Sequence, residues 1–193
     1  MDGTMAVAQR LTVAEYLSMN GPRWANLIDG EIVVSQPTHL HQRVLMNLSF
    51  ELETWCRAAG GRGEATLPID VELDEHNCFA PDVLWYRAGR EPGYTTVRPQ
   101  PLPDIACEIR SPSTWRYDIG PKKRRYEQHG LPELWLVDTE ADEVFVFRRS
   151  TPASEEFDVV LQLVRADNLT SPQLPGFELA LDKLFGPKPA APP

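Results

Sequence analysis

Apolar residues recur along this chain in two rhythms. Between residues 38 and 59, Val44, Leu45, Leu48, Leu52 and Trp55 stand three or four apart, which predicts an amphipathic helix ended by Gly60-Gly61. A short helix is predicted over 12–19, where Thr12 and Glu15 have the spacing of a capping box. Two-residue alternation marks strands instead. Apolar runs flanking Asp29-Gly30 predict a hairpin over 24–37. Further strands are expected over 64–73, with Leu67, Ile69, Val71 and Leu73 on one side, and over 79–87, 104–109, 133–138, 143–149 and 157–164. Residues 90–103 are rich in Pro and Gly and read as a loop, 118–129 as a helix up to Gly130, and 177–185 as a short closing helix. The elements make a mixed α/β chain. One domain is expected over 1–186, with a Pro-rich, disordered tail over 187–193.

Composition narrows the classes. No run approaches the ~18 consecutive apolar residues of a membrane span, and residues 1–10 lack a cationic start followed by an apolar core. The three cysteines form no CxxC pair, so neither a disulfide framework nor a structural zinc site is indicated. A cytoplasmic protein is expected. The net charge of −9 argues against bulk electrostatic coating of nucleic acid. It does not argue against an enzyme whose carboxylates hold a cation against a phosphate.

One stretch bears on that chemistry. "PDIACEIRSPST" at 103–114, read as a strand, puts Glu108 and Arg110 on one face and Ile105, Cys107 and Ile109 on the other. "APDV" at 80–83 supplies a second carboxylate, Asp82. Mg²⁺ is commonly held by one or two carboxylates plus waters and phosphate, and adjacent strands lie close enough to offer two. A lysine nearby would orient the attacking water or stabilise the charge on the phosphate. Arg110 stays protonated and is no base; a phosphate contact or a salt bridge is left to it. Lys122 is the better candidate, sharing a helix face with Arg125, Tyr126 and His129.

Each residue also has a plainer reading. Asp82 suits a turn cap, Glu108 a salt bridge to Arg110 or Arg116, and Lys122 a solvated helix face. Glu31 suits the hairpin surface, and His41 a hydrogen bond at a helix entry. Ser111 and Ser113 suit N-caps better than nucleophiles.

"FAPDVLWY" at 79–86, followed by "PDIACEIRSPSTWRYDIGPKKRRYEQHGLPELWLVD" at 103–138, resembles the Uma family of restriction-endonuclease-like proteins in the PD-(D/E)XK nuclease superfamily. The likeness extends upstream to "LTVAEYL" and "LIDGEIVVSQPTHLHQRVLMNL" and covers roughly residues 10–150. It implies an α/β (α+β) fold, a mixed β-sheet flanked by helices. By the resemblance, Asp82 and Glu108 are metal ligands and Lys122 is the catalytic lysine. Glu31 becomes an assisting acid, Tyr126 and His41 site-margin residues. Arg110 departs from the aliphatic residue usual there. The implied activity is Mg²⁺-dependent hydrolysis of DNA, with Mn²⁺ as a substitute, and a homodimer is expected by analogy. The alternative is a nuclease-fold protein that no longer cuts and serves as a binding or assembly module.

Overall fold

The computed structural model describes residues 10–19, 25–95 and 99–187. The residues before 10, Trp24 at the start of the hairpin, part of the 90–103 loop and the tail beyond 187 lie outside them. Helix α1 (Val13–Ser18) opens with the reciprocal capping box: Thr12 Oγ1 accepts from the Glu15 N–H, and Glu15 accepts from the Thr12 N–H at 2.8 Å. Strands β1 (Ala25–Ile28) and β2 (Glu31–Val34) form the hairpin. Asp29 and Gly30 both have positive φ, 50° and 80°, as the tight turn between right-twisted strands requires. Helix α2 (His39–Arg57) follows, with Thr38 as N-cap and Val44, Leu48, Leu52 and Trp55 buried.

Two stretches read as single strands are each broken at a proline. Residues 64–73 divide into β3 (Glu64–Thr66) and β4 (Val71–Asp74) around Pro68, and Leu67 is exposed. Residues 79–87 divide likewise around Pro81, between β5 (Asn77–Phe79) and β6 (Val83–Tyr86). Proline has no N–H to give a ladder, and at both breaks the chain changes sheet. Strands β4 and β5 join the hairpin in a four-stranded sheet of order β2-β1-β5-β4.

The remaining strands build the main sheet. Strand β7 (Ile105–Ile109) is buried along its whole length. A helical stretch comes next: α3 (Trp115–Tyr117), a π-helical turn (Asp118–Lys122) and α4 (Lys123–Gln128). Then follow β8 (Glu133–Asp138), β9 (Glu143–Arg148) and β10 (Val159–Val164). The six-stranded order is β10-β9-β8-β7-β6-β3, with β7 and β8 parallel and the other pairs antiparallel. The expected closing helix over 177–185 is shorter. Strands β11 (Asn168–Leu169) and β12 (Leu179–Ala180) pair first, and only α5 (Leu181–Phe185) is helical.

The main sheet is covered on both faces. Ile105, Cys107 and Ile109 of β7 pack with Trp135 and Val137 under α2 and α5. Ala106 points the other way, with Leu134 and Leu136, against Tyr126 of α4 and Phe79 and Ile28 of the smaller sheet. Glu108 shares that second face. No helix among the described residues is long and apolar enough to cross a membrane.

Candidate active site

The break at Pro81 sets the first functional side chain. Asp82 stands between the two sheets, just before β6. Val83 pairs with Cys107 in the β6–β7 register, so one step further along brings Asp82 opposite Glu108. Asp82 Oδ2 accepts the Ile109 N–H at 2.7 Å and lies 3.2 Å from His41 Nε2. Two groups from different elements thus fix one carboxylate oxygen.

Glu108 is 3% exposed. Its Oε1 accepts the Tyr126 hydroxyl at 2.6 Å and lies 2.6 Å from Lys122 Nζ. Lys122 and Tyr126 stand four apart, so they present to the same side of the helical stretch. Pro121 sits inside the π-helical turn that ends at Lys122. Its missing N–H takes away one regular helical bond, and the wider turn accommodates this loss. Lys122 Nζ also lies 3.0 Å from Asp118 Oδ1. Asp118 is a carboxylate that the sequence reading missed. The signal was an acid four residues before the lysine in "DIGPK", a spacing that places both on one helix face.

Asp82, Glu108, Asp118, Lys122 and His41 line one small cavity of ≈ 40 Å³, together with Ile109 and Thr114. That is room for a water-sized guest. Formal charges there are three carboxylates against one ammonium. Burial pushes the Glu108 carboxyl up to about 8; Lys122 opposes the shift, and Asp118 and Asp82 add to it. Burial likewise raises Asp118, against Lys122 and with Asp82. For Lys122, burial alone would favour the neutral amine, but Asp118 and Glu108 outweigh it and the ammonium is held. Asp82 and Glu108 offer hard oxygen donors of the kind Mg²⁺ takes, and no group of three or more Asp, Glu, His or Cys side chains among the described residues stands close enough together to hold an ion. His41 Nδ1 is buried with no hydrogen-bond partner, although Nε2 faces Asp82.

Two residues expected at the site stand apart from the cavity. Glu31 is exposed at the start of β2 and does not line it. The short hairpin turn leaves that side chain in solvent. Arg110 pairs with neither Glu108 nor the cavity. Its Nη1 bonds both oxygens of Asp138, at 3.1 and 2.8 Å, and its Nη2 lies 2.6 Å from Glu140. The salt-bridge partner of Glu108 is therefore Lys122, not Arg110 or Arg116. "SPST" is a tie between elements. Ser111 Oγ is 2.6 Å from Thr114 Oγ1 and 3.1 Å from Ser35 Oγ, and Ser113 Oγ accepts the Gln36 N–H.

The family model described as "Uma2: Putative restriction endonuclease" matches residues 13–182. Among solved structures, the chain is similar to one described as a putative nuclease belonging to DUF820 from Anabaena variabilis. Identity is 18%, the TM-score is 0.75, and the match covers 91% of this chain and 97% of that one. At that identity the likeness shows the mixed α+β fold. No curated protein matches the sequence.

Proposed function

We propose, because this chain belongs to the Uma2 restriction-endonuclease family, that it is a Mg²⁺-dependent endonuclease hydrolysing DNA phosphodiester bonds. The observation that carries this reading is the convergence of Asp82, Glu108 and Lys122 on one cavity. Asp82 and Glu108 would hold the ion, with Asp118 beside them, and the ion supplies a Lewis acid and a water of lowered pKa.

The chain's own groups do the rest. His41 and the Ile109 N–H fix Asp82 through Oδ2. Tyr126 donates to Glu108 and holds its orientation. The electrostatics of Lys122 support a donor role in this reading. Asp118 and Glu108 favour its ammonium form, which suits a hydrogen-bond donor better than a general base. Lys122 donates hydrogen bonds and offsets the negative charge that grows on the phosphate. Mn²⁺ replaces Mg²⁺ in this reading, and the working unit is a homodimer, as suits the cutting of two strands.

Supercoiled plasmid incubated with Mg²⁺ or Mn²⁺ tests the proposal. The protein should nick it and Asp82→Ala should not; equal nicking by both sinks the reading. A strictly monomeric mass on gel filtration contradicts the dimer.

One observation favours a second reading, a nuclease-fold binding or assembly module that does not cut. Glu108 and Lys122 are almost wholly buried and already paired with each other. Titration calorimetry separates the two. Heat from neither divalent metal nor DNA at low salt favours the non-cutting module.

A further inference from the structure

The other end of β7 carries a larger and chemically opposite feature. Glu108 and Ile109 lie at the C-terminal end of the strand. At the N-terminal end, beside Asp104, a cleft of ≈ 660 Å³ opens between the end of β6, the end of β9 and the start of β10. About 13 Å of strand, at ~3.3 Å per residue, separates the two ends.

Four guanidinium groups line this cleft: Arg87, Arg90, Arg148 and Arg149. Two of them are structural. Arg149 bonds the main-chain carbonyls of Leu131, Ser154 and Glu127. Arg90 is held by Asp104 at 2.5 Å and by the Leu102 carbonyl. The other two are held less tightly. Arg87 has a side chain 64% exposed, 3.4 Å from an Asp104 oxygen already taken by Arg90. The Arg148 side chain is only 14% exposed, and its Nε is buried with no hydrogen-bond partner. Glu133 Oε2 is 3.7 Å from that nitrogen, too far for a hydrogen bond. Glu133 also accepts hydrogen bonds from Trp135, Ser171 and Gln173. Among the described residues Arg148 is thus held only by its ion pair with Glu133, and with the exposed Arg87 it leaves cationic groups on the cleft wall that can take an anion.

The cleft's size and walls say what kind. Its volume is that of a small-molecule site and far exceeds a bare phosphate. Val159 and Leu161 of β10 supply an apolar wall beside the guanidinium groups. We propose that this cleft binds a small organic phosphate, of the nucleoside phosphate class, with the phosphate on Arg148 and Arg87 and the organic part against Val159 and Leu161. The proposal stands apart from the nuclease reading, because its residues share nothing with the carboxylate cavity.

Titration calorimetry in EDTA, with adenosine monophosphate, inorganic phosphate, citrate and a short single-stranded oligonucleotide, tests it. Adenosine monophosphate should bind more tightly than inorganic phosphate or citrate. Arg87→Ala and Arg148→Lys should each weaken it about tenfold, the scale of one charge-assisted hydrogen bond. Arg87 is exposed and Arg148→Lys keeps the charge opposite Glu133, so both variants should fold; far-ultraviolet circular dichroism checks this. Asp82→Asn should leave the binding unchanged, which separates this site from the other. Four results would each overturn the assignment: no binding of the mononucleotide, equal binding of inorganic phosphate or citrate, binding of the oligonucleotide alone, or binding indifferent to both arginine substitutions.

Discussion

The two ends of strand β7 carry opposite imbalances of charge. At the C-terminal end Glu108 and Asp118 hold Lys122, and Asp82 lines the same cavity. At the N-terminal end four arginines line one cleft, three of them paired with Asp104 or Glu133. The net charge of −9 conceals both. The ends also differ in depth. Glu108 and Lys122 are 3% and 2% exposed, so water screens their interaction little, whereas Arg87 reaches well into solvent. Removing one charge should therefore do much at the acidic end and little to stability at the basic end.

The largest effect is expected from Asp82→Asn. The amide oxygen can still accept the Ile109 N–H, so the fold should hold. The loss of one anionic oxygen should lower plasmid nicking by at least about a hundredfold, the scale of a lost electrostatic contact at a reacting centre. Nicking rates and urea midpoints of the two proteins, measured side by side, check it. A collapse of stability in step with the rate would mean that Asp82 is structural.

Lys122→Met probes the same end through stability, and pH gives it a sign. The folded-state value of Glu108 is raised, from 4.5 to about 8. The folded protein thus keeps a proton that the unfolded chain releases, and stability falls as pH rises from about 4.5 to about 8. Lys122 opposes that shift, so its removal pushes Glu108 still higher. Lys122→Met should cost less near pH 5, where Glu108 is protonated in either protein and only Asp118 loses its partner. It should cost about 3–5 kcal/mol above pH 8, where a buried carboxylate has lost its partner. Urea unfolding at the two pH values decides. A pH-independent cost would mean that Glu108 is ionised throughout.

The acidic end was legible in the sequence as far as local rules reach. Asp82 before an apolar run and Glu108 within one carry their own signals, and α1, the hairpin and β8 follow from a capping box, a turn and a short apolar run. What was not legible depends on partners distant in the chain. Alternation through Leu67, Ile69 and Val71 looked continuous because it ignored Pro68, and only the assembled sheets reveal that the chain crosses between them there. Asp118 was hidden in a basic run that read as a helix start. The arginine cleft gathers residues from 87 to 173, and no window of sequence brings them together.

Tyr126→Phe is a finer probe of the acidic end. It deletes one hydroxyl and its 2.6 Å bond to Glu108 while keeping the ring packed on Phe79. Glu108 keeps Lys122, so the cost should be about 1.5–3 kcal/mol, the range for a hydrogen bond to a charged group. It should shrink below pH 8, where the carboxyl is protonated. Chemical denaturation of Tyr126→Phe against the parent measures it. A cost above that of Lys122→Met would reverse the ranking of the two contacts.

Arg110→Leu should have the smallest effect, although Arg110 follows Glu108 by only two residues. The substitution removes the pair with Asp138 and Glu140 and the stacking on Trp115. Glu140 is largely exposed, and Asp138 keeps the main-chain N–H groups of Glu140 and Ala141. Only the Glu140 contact is therefore screened; the Asp138 pair is mostly buried, and its loss should cost about 1.5 kcal/mol, the bottom of the range for a hydrogen bond to a charged group. Nicking should change less than about threefold, since the guanidinium lies outside the cavity and a threefold change is worth less than 1 kcal/mol. Denaturation midpoints and nicking rates together test this. A large fall in nicking at unchanged stability would return Arg110 to the phosphate contact that its place in the strand first suggested.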